Sequence, residues 1–315
     1  MRQYLVSAIF LFGLLGCLPA QAQSIDSFPV KPVKVIVPFP PGGGADTLIR
    51  LMAPSLTELW KQSLIIDNRP GASGAIGAEL VAQSPADGYT LLMGSTAAVT
   101  DKNIAQFSPV ALVSASPYVV TVNSSLNITS IKALIAYAKT NPGKLRFGSS
   151  GLGSASHLSG ELFASMAGIQ MLHVPYKGTG QALTDLLAGH IDLLFAPAQT
   201  VMPQIEAGKL LALAQTGSKR SEALPHLPTV IESGLPGYSA VGWFGLFAPA
   251  ATPKSIVQKL NQGVGATLSQ KKLREAMLER GSDPASGSAD DFSAFLRLDQ
   301  AKWSKLIKDN RIAVQ

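Results

Sequence analysis

The chain has a single cysteine, Cys17. A disulfide within the chain is therefore excluded, and with Cys17 confined to the leader so is a thiol nucleophile in the mature protein. Charged residues make up only 15% of the sequence and aromatics 7%, and the basic residues are scattered, with Lys219-Arg220 and Lys271-Lys272 the densest pairs. No basic stripe interleaved with aromatics exists, so no nucleic-acid partner is expected. No Gly-Lys-Ser/Thr occurs, which removes the phosphate-binding P-loop. The four histidines, His157, His173, His190 and His226, stand far apart with no His-Glu-x-x-His pair, so no metal is expected. Ser150 fails as a nucleophile elbow because Leu152 stands where Gly-x-Ser-x-Gly needs glycine. Residues 71–77 lack dinucleotide-type Gly-x-Gly-x-x-Gly spacing, and no cofactor is expected.

What is present is 46% hydrophobic residues in a 315-residue chain, enough for two domains with real cores. The organising stretch is Pro38-Phe39-Pro40-Pro41-Gly42-Gly43-Gly44-Ala45-Asp46. An apolar run, Val33–Val37, reads as a buried strand that must stop at Pro38, since proline cannot donate to a sheet ladder. Leu48, Leu51, Met52, Leu56 and Leu59 then recur at helical spacing. The three glycines are expected to take positive φ and to let another molecule approach the backbone. A strand, a glycine loop and a helix start in succession present free N–H groups and the positive end of a helix dipole, which suits an anion. Read by itself, such a loop is more often a tight βα turn without a ligand, and it is a second loop of the same kind that turns the reading toward binding.

A second loop of the same kind follows strand 144–147: Gly148-Ser149-Ser150-Gly151-Leu152-Gly153-Ser154-Ala155-Ser156-His157, opening a helix to about residue 167. Further apolar runs at 64–67, 89–93, 109–113, 118–122, 171–174, 191–195, 210–214 and 241–247 read as strands. They alternate with helical patterns, among them 179–188 and 201–207, and three helices close the chain. Such alternation calls for βαβ units and parallel sheets, whose ligands sit beyond the carboxyl ends of the strands, where both glycine loops fall. The fold class is α/β.

Residues 1–22 read as an export signal, with Arg2 as its n-region and 5–18 as its apolar core. Its removal takes the net charge from +6 to +5. Ala20-Gln21-Ala22 is a small-x-small site that frees a chain beginning at Gln23, whereas Leu14-Leu15-Gly16-Cys17 resembles a lipobox that leaves Cys17 lipidated. The soluble, periplasmic product is the expected one.

Among side chains, His157 beside the second loop can donate to a ligand or satisfy local backbone. Lys177 is the one cation near the presumed cleft, or else solvated surface. Trp243 and Phe244 either flank a ligand or belong to the core.

The order of these motifs resembles the tripartite tricarboxylate transporter substrate-binding family, also called the Bug family. The resemblance is carried by Lys31-Pro32-Val33 with residues 35–46, by Asn68-Arg69-Pro70-Gly71-Ala72, by Asp87-Gly88-Tyr89-Thr90-Leu91-Leu92, and by Asn141-Pro142-Gly143-Lys144-Leu145. It continues in residues 149–154, in His173-Val174-Pro175-Tyr176-Lys177-Gly178 and in Leu246-Phe247-Ala248-Pro249-Ala250. It implies a periplasmic-binding-protein type II receptor whose two α/β lobes close on a small organic carboxylate and hand it to membrane permease subunits. In relatives the carboxylate is bound largely by loop amides, hydroxyls and water.

The resemblance implies lobe 1 at 23–118 plus 246–315 and lobe 2 at 119–245, with crossings near Tyr118 and 243–247. The expected ligand residues are Phe39, Gly42, Gly43, Gly44, Ala45, Ser95, Ser149, Ser150, Gly153, Ser154, His157, Tyr176, Lys177 and Trp243. A monomer with no enzymatic activity is expected; a receptor feeding a signalling protein, or an enzyme on the same fold, are the rival readings. Two departures from the family pattern stand out: a short 96–107 segment, and Ala196 where many relatives carry an acidic residue.

Overall fold

A computed structural model describes residues 27–312, so the leader, with both cleavage readings, lies outside the described residues. β1 (Val33–Val37) ends at Pro38 and feeds α1 (Gly44–Trp60), which buries Leu48, Ile49, Met52 and Leu56 on one face. Pro54 lies inside α1 without ending it. β2 (Leu64–Asn68), α2 (Ala75–Ala82) and β3 (Thr90–Ser95) complete two parallel crossovers, giving the order β2-β1-β3. The next strand, β4 (Phe107–Asn123), is continuous where the sequence reads as two separate runs. Bulges at Pro109/Ala111, Leu112/Ser114 and Val120/Thr121 let it accommodate Pro109 and Pro117 and turn from one sheet into another.

The second half holds α3 (Ile131–Thr140), β5 (Arg146–Ser149), α4 (Ala155–Ala167), β6 (Leu172–Pro175) and α5 (Thr179–Leu187). β7 (Leu193–Pro197), α6 (Ala198–Glu206) and β8 (Leu210–Gln215) follow. β9 (Val241–Pro249), α7 (Lys254–Leu268), α8 (Lys271–Leu278) and α9 (Ala289–Asn310) finish the chain. β5 lies between β6 and β7 in parallel, and β7 and β8 both run antiparallel to the far half of β4.

Two lobes follow from this pairing. β4 pairs with β9 as far as Pro117 and with β7 from Tyr118. β9 pairs along its whole length with β3 or β4, beginning at Val241. β9 thus enters the sheet of β3 and β4 at Val241, a few residues before the stretch 243–247 where a crossing is expected. The last helix packs on two cores. Phe292 and Leu296 of α9 sit in the first lobe's core with Ile36 and Phe247, but Trp303 and Leu306 sit in the second lobe's core with Phe163 and Phe195. Each such side chain contributes about 1.5–3 kcal/mol of burial, so α9 is bolted to both lobes. Between the two contacts, Asp299 accepts a hydrogen bond from Trp243 Nε1 at 2.9 Å and pairs with Lys302 at 3.2 Å. α9 is thus a third connection that strand periodicity does not reveal.

Candidate ligand-binding cleft

The carboxyl ends of β1, β2, β5 and β7 bring four segments to the seam between the lobes. From the first lobe come the turn 38–43 with the start of α1, and the loop 71–74. From the second come the loop 149–154 with the start of α4, and the start of α6. The lobes touch here: a Cβ built on Gly44 would stand 2.8 Å from Gln199 Nε2, and one on Gly151 would stand 3.3 Å from Ser73 Oγ.

The first glycine loop is held from beneath. Asp46 Oδ2 accepts the Gly42 N–H at 2.9 Å, Arg50 Nε donates to both Asp46 oxygens at 2.9 Å, and Asn68 Nδ2 bridges Asp46 Oδ1 to the Phe39 carbonyl. Burial pushes the Asp46 carboxyl up, but the hydrogen bonds from Arg50, Gly42 and Asn68 and the Arg50 charge outweigh it and hold the group below its ordinary range. The first helical bond of α1 is Thr47 N–H to Gly43 O, so the N–H groups of Gly44 and Ala45, beside the seam, have no partner within the helix. Only Gly42 has positive φ, at 81°; Gly43 is an extended N-cap at φ −74°. What requires glycine at 44 is crowding by Gln199 and by Phe244, whose Cζ lies 2.9 Å from the built Cβ. Phe39 is half-buried against the first core, with its ring tip near Gly74.

The loop at 149–154 is different in kind, because its hydroxyls consume its own amides. Ser156 Oγ accepts the Ser150 N–H at 2.9 Å and lies 3.1 Å and 3.0 Å from the hydroxyls of Ser150 and Ser154. Ser149 Oγ accepts from Gly151 N–H, His157 Nδ1 accepts from Gly153 N–H, and Ser154 N–H and Oγ both donate to Gly151 O. Four of the amides expected to meet a ligand are thus turned inward. What this lobe presents instead is the half-exposed Ser150 hydroxyl and the N–H groups of Ala155 and Ser156, which precede the first bond of α4.

His157 sits behind this loop, 2% exposed, rather than in the cleft. With Gly153 donating to Nδ1, its proton is on Nε2, which lies 3.5 Å from Glu161. Its ring stacks on His173 at 3.9 Å, and His173 Nε2 lies 2.7 Å from Ser149 Oγ. Burial, with the His157 neighbour and against Glu161, pushes His173 down to about 4, so that ring is neutral near pH 7. The pair positions the loop.

Three other expected residues are directed elsewhere. Tyr176 donates its hydroxyl to Asp185 at 2.7 Å and packs on the second lobe's core, and burial together with Asp185 pushes its phenol up to about 12. Lys177 is exposed, and only its backbone N–H bonds, to Gln181. Trp243 is 2% exposed, held by Asp299 on the α9 side of β9. Its neighbour Phe244 faces Gly44 and the cleft, as strand alternation requires. Ser95, at the end of β3, is half-buried opposite Phe244, with its carbonyl accepting from Ala98 and Val99.

Two segments that sequence reasoning passed over are at the seam. Ala72 and Ser73 both hold left-handed backbone, φ 46° and 53°, between Gly71 and Gly74. Such strain gathers at ligand clamps. Gly74 is needed there because a Cβ would lie 2.8 Å from Ala98 Cβ, so the short 96–107 connection buttresses this loop. Gln199 is the other: α6 begins at Ala198, three residues ahead of the expected start, which carries Gln199 into the cleft.

Two α/β lobes joined by crossing strands, with helix starts meeting at the seam, define a solute receptor of the periplasmic-binding-protein type. The family model for the tripartite tricarboxylate transporter family receptor matches residues 48–312. Protein BugT of Bordetella pertussis is 35% identical over 95% of this chain and 97% of its own. Among solved structures, R. palustris Rpa4515 with adipate is 39% identical at TM-score 0.85, covering 91% of this chain and 100% of that one. The periplasmic binding protein BugD is 33% identical at TM-score 0.81, covering 91% and 100%, and MatC from Rhodopseudomonas palustris with bound malate is 29% identical at TM-score 0.80, covering 89% and 100%. The chain belongs to the tripartite tricarboxylate transporter receptor family, whose members are solute-binding receptors and not enzymes. Among the described residues no helix is long and apolar enough to cross a membrane.

Proposed function

We propose that this receptor is exported to the periplasm as a soluble monomer, closes on a small dicarboxylate and delivers it to membrane permease subunits. Adipate and malate in the two solved relatives support the ligand class. The observation that carries it is the meeting of uncharged donors from both lobes: Gly44 and Ala45 N–H from α1, Ala155 and Ser156 N–H and the Ser150 hydroxyl from the start of α4. Each helix start acts as roughly half a positive charge, so two of them offset about half the charge of a dianion, and hydrogen bonds from the loop donors hold the rest without an arginine. Lobe 1, on this reading, is 27–117 with 241 to about 298, and lobe 2 is 118–240 with the end of α9. The pivots are Pro117–Tyr118, Ala240–Val241 and Asp299. Mass spectrometry of small acids that copurify with the native protein, followed by calorimetry with the acid found, tests this. A C4–C8 dicarboxylate is expected; a copurifying amine or sugar that binds, with adipate and malate both inert, would overturn it.

A further inference from the structure

The second lobe contributes one side-chain amide to the seam that the α4 loop does not supply. Gln199 is the second residue of α6, half-buried, with Nε2 beside Gly44 at the start of α1 and against the Phe244 ring. Among the described residues its side chain makes no hydrogen bond with protein. An amide N–H₂ here lies beside the start of α1, where the Gly44 and Ala45 N–H groups have no partner within the helix, and one acceptor can serve donors from both lobes. The surroundings are uncharged: Ser114, Ser116, Ser282 and Phe244 line, with Gln199, a small space of about 10 Å³ at the pivot. Ser116 Oγ there is already taken by Ser114 and the Asp283 N–H.

We infer that Gln199 is a specificity-determining residue: its amide donates to one carboxylate of the ligand from the second lobe while the α1 start holds the same group from the first. The inference rests on the dicarboxylate reading above. A neutral donor at this point favours an end group that only accepts. It gives no partner to an ammonium, in line with Ala196 on the preceding strand offering no carboxylate. With the amide turned the other way, Oε1 would accept from the α1 amides and Gln199 would be a latch between the lobes, with no role in selection. Gln199→Glu separates the two, because a carboxylate keeps the acceptor and loses the donor.

Calorimetric titrations of the wild type, Gln199→Glu and Gln199→Leu with adipate, malate and 2-aminoadipate provide the test, with thermal unfolding to establish that each variant folds. Gln199→Glu is expected to weaken adipate or malate at least about 100-fold through like-charge contact and a lost charge-assisted bond, and Gln199→Leu about 10-fold. The preference for adipate over 2-aminoadipate is expected to shrink in Gln199→Glu. Gln199→Glu that binds within about threefold of the wild type, with the preference unchanged, overturns the inference and leaves the receptor reading intact. A wild type that binds neither adipate nor malate overturns the dicarboxylate reading, and this inference with it.

Discussion

The two glycine loops look alike as sequence and do opposite work with their amides. In the first, a buried carboxylate, Asp46, takes one amide from below and leaves the helix start open. In the second, two serine hydroxyls and a histidine nitrogen absorb three amides and the Gly151 carbonyl takes a fourth, so the loop is a preformed knot with a helix start on its rim. The difference teaches that a Gly/Ser loop binds an anion only with the amides its own side chains have not claimed. The first loop is a donor platform and the second a rigid backstop, and each can be broken separately.

The largest effect is expected from Gly44→Val. Its side chain would enter the space held by Gln199 and Phe244, blocking closure and ligand approach together, and binding of adipate should fall at least about 100-fold. Gly43→Ala should stay within about twofold, because its φ is ordinary and the nearest atom to a new Cβ is Pro40 O at 3.4 Å. Calorimetry on the pair checks both.

Ser156→Ala tests the backstop. Removing the hub leaves the Ser150 N–H without its acceptor, which costs about 1–3 kcal/mol of stability and about 10-fold in affinity through a loosened loop. Urea unfolding and titration of the same sample read the two. A variant with full stability and full affinity would mean that the knot does not position the site.

Acid should loosen the second lobe before the first. His173 titrates near 6.5 when unfolded and is held at about 4 when folded, so between those values the unfolded chain binds the extra proton. Its contribution is fully present above pH 6.5 and is lost as pH falls through 4. The urea midpoint should decline over that window, and His173→Phe should flatten the decline. Asp46, held below its ordinary range, contributes above its unfolded value and loses that contribution only at lower pH, as its folded value is crossed.

The smallest effect belongs to Lys177→Met. The side chain is exposed and outside the two-lobe contact, so adipate affinity should change less than about twofold, with a modest salt dependence. A loss larger than that of Gly44→Val would assign the holding to charge.

Much of this was legible in the residues. β1, α1, β3 and the helix after the second loop follow from apolar spacing, Pro38 and the Ser154 cap, and the motif order carries the family. The rest was hidden for physical reasons. β9 is apolar on both faces, so alternation alone does not say whether Trp243 or Phe244 looks into the cleft; α9 decides it, through Asp299. His157 beside a glycine loop has the same sequence signature whether it meets a ligand or caps an amide. Gln199 was missed because α6 starts after Pro197 with no Ser, Thr, Asp or Asn cap, which gives no sequence signal for a helix already under way at Ala198. Ala72 and Ser73 were hidden because left-handed backbone at such residues is imposed by packing, here by Gly74 against Ala98.

The most direct test is the amide spectrum of ¹⁵N-labelled protein titrated with adipate. The Gly44 and Ala45 resonances should move downfield as their N–H groups donate to the carboxylate. Those of Gly151 and Gly153, already bonded to Ser149 Oγ and His157 Nδ1, should move little. Large downfield shifts at Gly151 and Gly153 with Gly44 and Ala45 unmoved would contradict the account.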